Sequence, residues 1–209
     1  PRSTIELALT GRYDLLDGFI FPSICDVIRN LSGMWKVLFP QKYVRYLDVP
    51  QNYDPAVGGR FLTHELRTLY ADLCALSGAT PSDERIRAST AAFNTNRRSI
   101  ARLMELRASE PWRAPAWEAY LILFAGNLLP VEDHTALVDA YAAAARAANR
   151  PRRDNARVVL TGAFCEQPPL ELIRTLELAG CYVVVDDMAL GRRWPDGDVE
   201  LTGDPITAL

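Results

Sequence analysis

The sequence predicts an α/β protein: parts of two parallel-sheet domains joined by a helical segment. Two strand–helix–strand patterns, one near each end, and a change of apolar period between them lead to this prediction. Residues 19–21 (Phe-Ile-Phe) and 44–49 (Val-Arg-Tyr-Leu-Asp-Val) read as strands, with residues 24–37 helical between them. Such a βαβ unit favours parallel strands and a crossover helix. From Gly59 to Asn149 apolar residues recur at helical spacing, and from Arg157 the strand–helix–strand pattern returns. Three segments are therefore expected. Residues 1–55 would end a first α/β domain, 56–150 would be helical, and 151–209 would start a second α/β domain.

The helical segment begins with a leucine stripe. Leu62, Leu66, Leu69, Leu73 and Leu76 recur at steps of four and three, and Gly78 closes the pattern. Cys74 lies beside that stripe and reads as a packing thiol. Thr80-Pro81-Ser82-Asp83 supplies an N-cap, a proline at the first helical position and a capping-box acid. Ile86, Phe93, Ile100 and Leu103 mark one face of the long helix that follows. Trp117, Tyr120, Leu121, Phe124 and Leu128 mark a third helix, and an alanine-rich fourth runs to Asn149. Pro151-Arg152-Arg153-Asp154 is the linker into the last unit. There, residues 158–160 read as a strand, 161–169 as a loop, 170–178 as a helix ended by Gly180, and 182–185 as a second strand. Cys181 enters that strand and reads as structural.

Composition narrows the function classes. The 209 residues are 49% apolar and 23% charged, with a net charge of -3 and a pI near 5.5. That balance leaves no basic footprint for nucleic acid or an anionic membrane. The basic pairs Arg97-Arg98, Arg152-Arg153 and Arg192-Arg193 read as solvated faces. Apolar stretches such as residues 120–129 are too short to span a bilayer, and with no charged n-region before an apolar h-region a signal peptide is not expected. The four cysteines, Cys25, Cys74, Cys165 and Cys181, form no C-x-x-C pair and no compact zinc pattern. Reduced thiols in a cytoplasmic protein are expected. The first residue is Pro1, within a helical pattern (Ile5, Leu7, Ala8, Leu9), so the sequence is expected to be an internal piece of a longer polypeptide.

Chemistry is expected at Cys25. Pro22 breaks the first strand, and Ser23 with Asp26 three residues on fits a capping box. That places Cys25 near the second helical position, where the helix dipole favours a thiolate that ligates metal or attacks an electrophile. It also lies at the carboxyl end of a strand, where open α/β sheets bind ligands. Buried packing is the alternative reading of a free cysteine. Cys165 repeats the arrangement after the third strand, with Glu166 and Gln167 beside it as polar groups of a partly buried loop. If the two α/β units face each other, Cys25 and Cys165 line one cleft. His64 and His134 have no cysteine or serine partner in sequence, so a Cys–His hydrolase has little support. Neither G-x-G-x-x-G nor a P-loop is present.

Three long stretches carry a resemblance: RSTIELALTGRYDLLDGFIFPSICDVIRNLSGMWK, VRYLDVPQNYD and GAFCEQPPLELIRTLELAGCYVVVDD. Together they closely resemble the benzoyl-CoA reductase and 2-hydroxyacyl-CoA dehydratase family, the C subunits of the reductases most of all. The resemblance implies two flavodoxin- or Rossmann-like domains with a helical insertion, holding a [4Fe-4S] cluster. In that family three separated cysteines bind the cluster, and the middle one, in an I-C-D motif, matches Cys25. The other two would lie before Pro1 and beyond Leu209. The resemblance also makes Cys165, Glu166, Gln167 and Asp26 candidates for the substrate cleft rather than cluster ligands.

The implied activity is ATP-dependent reduction of the aromatic ring of benzoyl-CoA to a cyclic dienoyl-CoA. Its implied partners are a homologous catalytic subunit, ATPase subunits that activate electrons, and ferredoxin as donor. A dry cleft with cysteine-bound iron suits the addition of an electron to an aromatic ring. Two alternatives stand beside it. One is a 2-hydroxyacyl-CoA dehydratase subunit, and the other is a non-redox assembly subunit that lost its cluster.

Overall fold

The computed structural model describes residues 2–162, 168–186 and 197–209. The elements in chain order are α1 (Arg2–Leu9), β1 (Gly18–Pro22), α2 (Asp26–Leu38), β2 (Tyr43–Leu47), α3 (Arg60–Ser77), α4 (Asp83–Ser109), α5 (Ala116–Ala125), α6 (Val131–Ala147), β3 (Ala156–Leu160), α7 (Leu170–Leu178) and β4 (Cys181–Asp186). A π-helical turn, Pro55–Gly59, leads into α3. The α/β class expected from the sequence is therefore observed. Two compact units emerge, Pro1–Asp83 with Thr202–Leu209, and Glu84–Leu201. Among the described residues no helix is long and apolar enough to cross a membrane.

In the first unit β1 and β2 pair in parallel, with Phe19 opposite Val44 and Phe21 opposite Tyr46. Alternation along each strand turns these residues to one face, which α2 covers with Leu31 and Trp35. Trp35 is fully buried, with its ring centroid 4.7 Å from that of Phe19, 5.1 Å from Phe39 and 5.7 Å from Phe21. The other face carries Arg45 and Tyr43, which are held by carboxylates of α3. Arg45 reaches Asp72 at 2.9 Å and Glu65 at 3.1 Å, both on α3. Tyr43 donates its hydroxyl hydrogen to Asp72 at 2.8 Å. Burial and this acceptor both raise the Tyr43 pKa.

The leucine stripe does form α3, and Gly78 ends it in the left-handed region at φ 67°, where a side chain would be strained. Cys74 is buried, but Leu73 and Leu76 are exposed. The next helix starts at Asp83 rather than Pro81. Tyr70 explains the delay, because its hydroxyl accepts from the Ser82 amide at 2.7 Å and donates to the Ser82 carbonyl at 3.2 Å.

In the second unit α4, α5 and α6 enclose Ile100, Leu103, Leu106, Leu123 and Val138, with Ala114, Ala119 and Ala145 between them. The expected helix faces need correction here. Phe93, Leu121, Phe124 and Leu128 are exposed, while Ala116, Ala119 and Leu123 are the buried side of α5. On α5 the small residues Ala116 and Ala119 are buried together with Leu123, while Leu121 and Phe124 are left outside. Polar groups are buried too. His134 donates from Nε2 to the Ile122 carbonyl at 3.0 Å, so its Nδ1 accepts from the Asn96 amide, also at 3.0 Å. A Cβ on Gly126 would lie 2.5 Å from the His134 ring.

The strands β3 and β4 are also parallel, with a register irregularity between Val158 and Val159. Ile173 of α7, Ala116 of α5 and Val183 of β4 pack together beneath them. Arg107 of α4 is buried against this sheet. It donates to the Val183 carbonyl at 3.1 Å and pairs with Asp186 at 3.5 Å.

Candidate functional site

The carboxyl ends of β1 and β2 open into a cleft of about 510 Å³. The chain leaving β1 builds one wall. The Ser23 amide donates to the Leu47 carbonyl at 2.9 Å, which carries the ladder one residue past Pro22. The Ser23 hydroxyl accepts from the Val49 amide at 2.6 Å. Ser23 is thereby engaged with the β2 exit, and the expected capping box does not form. Cys25, not Ser23, is the N-cap of α2, with extended backbone angles and no side-chain cap bond. Its carbonyl accepts the first helical bonds, from Ile28 at 3.1 Å and Arg29 at 3.2 Å.

This geometry leaves the Cys25 thiol exposed and uncommitted to the cap. Asp26 starts the helix beside it and lies 3.6 Å from Arg29, both well exposed. The Arg29 guanidinium stands 5.9 Å from the Tyr46 ring centroid. Across the cleft, Asp54 accepts from the Ala56 amide at 2.7 Å and caps the π-helical turn. Gly58 of that turn runs so close to the Asn52 carbonyl that no Cβ fits. The cleft thus offers a thiol, carboxylates at Asp26 and Asp48, a guanidinium and an apolar floor at Val57 and Phe61.

Cys25 and Asp26 share this cleft, as expected from their place in sequence. Cys165, Glu166 and Gln167 lie outside the described residues. Among the described residues no group of three His, Cys, Asp or Glu side chains is placed to hold a metal. Cys25 has the chemistry and exposure of one cluster ligand, and the described residues do not make a whole cluster site. Sequence reasoning missed Arg29, Tyr46 and Asn52. The first two had a readable signal, one turn after Cys25 and on the inward side of a strand. It also missed the carboxyl end of β4, where Arg107, Asp186 and Tyr120 meet. Burial, with the Asp186 charge adding to it, raises the Tyr120 pKa.

The whole length, residues 1–209, matches the family model described as 2-hydroxyglutaryl-CoA dehydratase, D-component. The chain belongs to this family. It is 51% identical over 209 residues to the C subunit of benzoyl-CoA reductase from Thauera aromatica, covering 100% of this chain and 54% of that protein. It is 30% identical over 188 residues to the beta subunit of lactoyl-CoA dehydratase from Anaerotignum propionicum, covering 90% of this chain and 49% of that one. It is 24% identical over 193 residues to the beta subunit of (R)-2-hydroxyglutaryl-CoA dehydratase from Acidaminococcus fermentans, covering 92% of this chain and 50% of that one. The resemblance carried by the three long motifs is borne out. The chain spans about half the length of these curated relatives.

Proposed function

We propose that the chain is part of the iron–sulfur catalytic subunit of an ATP-dependent benzoyl-CoA reductase. The observation that carries this reading is the exposed Cys25 thiol, held at the carboxyl ends of two parallel strands. The 51% identity to the C subunit of benzoyl-CoA reductase supports the choice of substrate. Cys25 supplies one thiolate to a [4Fe-4S] cluster, and the other cysteine ligands come from outside these 209 residues. When bound, the cluster supplies low-potential single electrons to the acyl group.

The chain's own residues do the positioning. Ser23 fixes the Cys25 loop through its bonds to Leu47 and Val49. Arg29 and Asp26 set the charge beside the thiol, and Val57 with Phe61 keeps one side of the cleft apolar. Asp26 belongs to the substrate cleft, and the resemblance assigns Cys165, Glu166 and Gln167 to substrate binding as well. Two electrons and two protons are added to the ring in all, giving a cyclic dienoyl-CoA. Ferredoxin supplies the electrons through ATPase subunits, a homologous partner makes up the catalytic pair, and the assembly works in the cytoplasm.

A second reading, a 2-hydroxyacyl-CoA dehydratase subunit, is favoured by the matching family model and by the 30% identity to the lactoyl-CoA dehydratase protein. The test uses the full-length subunit in its complex, made without oxygen. Cys25→Ala is expected to remove the iron–sulfur absorbance of this subunit and all ring reduction. Undiminished iron and sulfide per folded subunit would refute the assignment of Cys25. Assays with benzoyl-CoA and with lactoyl-CoA separate the two readings.

A further inference from the structure

Reduction of an aromatic ring takes up protons as well as electrons, so an acid must stand within reach of the bound acyl group. The cleft at the carboxyl ends of β1 and β2 offers few. Asp26 and Asp48 line it as exposed carboxylates, which accept hydrogen bonds rather than donate them. Arg29 keeps its proton in any protein setting. Cys25 is given to iron in the reading above. The Ser23 hydroxyl is engaged by the Val49 amide. A serine hydroxyl, or the side-chain amides of Gln51 and Asn52, is in any case a far weaker acid than a phenol. Among the described residues that line this cleft, the phenol is Tyr46.

Its place in the fold suits the task. Tyr46 is the next-to-last residue of β2 and pairs in register with Phe21. Its ring packs against the cluster of Phe21, Leu31 and Trp35, and the half-buried side chain also borders the cleft. Arg29, one turn along α2 from Cys25, brings its guanidinium to 5.9 Å from the ring centroid. Interaction with the Tyr46 side chain is the chief cause that raises the Arg29 pKa, and Asp26 and Asp48 add to it. A fixed positive charge there faces the negative charge that the phenol oxygen takes on as its proton leaves. Val57 and Phe61 supply the apolar floor against which an aromatic ring can lie.

We propose that Tyr46 is the catalytic donor of the first proton to the aromatic ring, with Arg29 as its positioning residue. The inference rests on the benzoyl-CoA reductase reading above. One electron, supplied by ferredoxin through the ATPase subunits, turns the bound acyl group into a radical anion. The Tyr46 O–H bond then breaks, and its proton forms a C–H bond at a ring carbon with an electron pair of the ring. Tyr46 is neither oxidised nor reduced. The phenolate left behind faces Arg29 and takes its proton back from solvent, on the side where Asp48 is exposed. A second electron and a second proton complete the cyclic dienoyl-CoA.

The test uses the full-length subunit in its complex, made without oxygen, with benzoyl-CoA as the probe. Tyr46→Phe keeps the ring that packs near Trp35 and removes only the hydroxyl. Iron and sulfide per subunit, and the affinity for benzoyl-CoA, are expected to stay unchanged. Ring reduction should fall by about 100-fold or more, the range that general acids contribute. ATP hydrolysed per ring reduced should rise, because electrons that meet no proton return unused. Arg29→Gln should also slow reduction, and the conservative Arg29→Lys should recover part of the rate. A fall of less than about threefold in Tyr46→Phe would overturn the assignment. So would loss of iron and sulfide in that variant, which would make the hydroxyl a structural part of the cluster site. A wild-type complex that carries its cluster yet leaves benzoyl-CoA unreduced would overturn the benzoyl-CoA reading and this inference together. An active wild type beside an equally active Tyr46→Phe would overturn the tyrosine alone.

Discussion

The sheet of the first unit and the sheet of the second are both two parallel strands backed by a helix, yet they are stabilised differently. β1 and β2 rest on aromatic rings gathered around Trp35, and the ions of Arg45, Glu65 and Asp72 lie on the opposite face. Val183 of β4 packs on Ala116 and Ile173, with Trp117 and Tyr120 only partly buried around them and the Arg107 guanidinium buried beside them. The first sheet gains from area removed from water and from ring packing. The second accepts the desolvation of a charge and recovers it through Val183 and Asp186. The same order of elements therefore leaves different chemistry at the two carboxyl ends: an exposed thiol at one, a buried ion pair at the other.

Trp35→Ala is the strongest way to break this comparison. Loss of a fully buried indole should cost about 3–5 kcal/mol, read as a lower midpoint in urea unfolding of the full-length subunit. A loss below about 1 kcal/mol would mean that the ring cluster is not what holds the first sheet.

Arg107→Met tests the second sheet and should cost about 3 kcal/mol, because Asp186 is left buried without its counter-charge. Adding Asp186→Asn should restore part of the loss. Strict additivity of the two changes would show that the pair is not coupled. The smallest effect belongs to Ser23→Ala. Removing the acceptor for the Val49 amide should cost about 1 kcal/mol, detectable as a small fall in Tm.

The elements were legible in the sequence where local chemistry decides them. Gly78 ends α3 in the left-handed conformation, Pro169 precedes α7, and the apolar runs became strands. Helix faces were less legible. Asn94 is buried because it bonds to Val199 and Asn96 because it bonds to His134 and Thr135, partners that periodicity does not reveal. The strand-end position of Cys25 was readable from Pro22 and the apolar pattern around it. Its role as N-cap was not, since Ser23 is claimed by Leu47 and Val49, both far along the chain. Local motifs lose to such distant partners whenever both compete for one hydroxyl.

Gly126 and His134 have a consequence for how this sequence can change. The ring fills the volume that any side chain at position 126 would need, and its two nitrogens tie it to Ile122 and Asn96. Neither residue can be exchanged without regard to the other, so the two positions form one heritable unit. A library that varies position 126 alone is expected to yield few folded members. One that varies 126 and 134 together, with Asn96 free to follow, searches the combinations in which that space can be shared out anew.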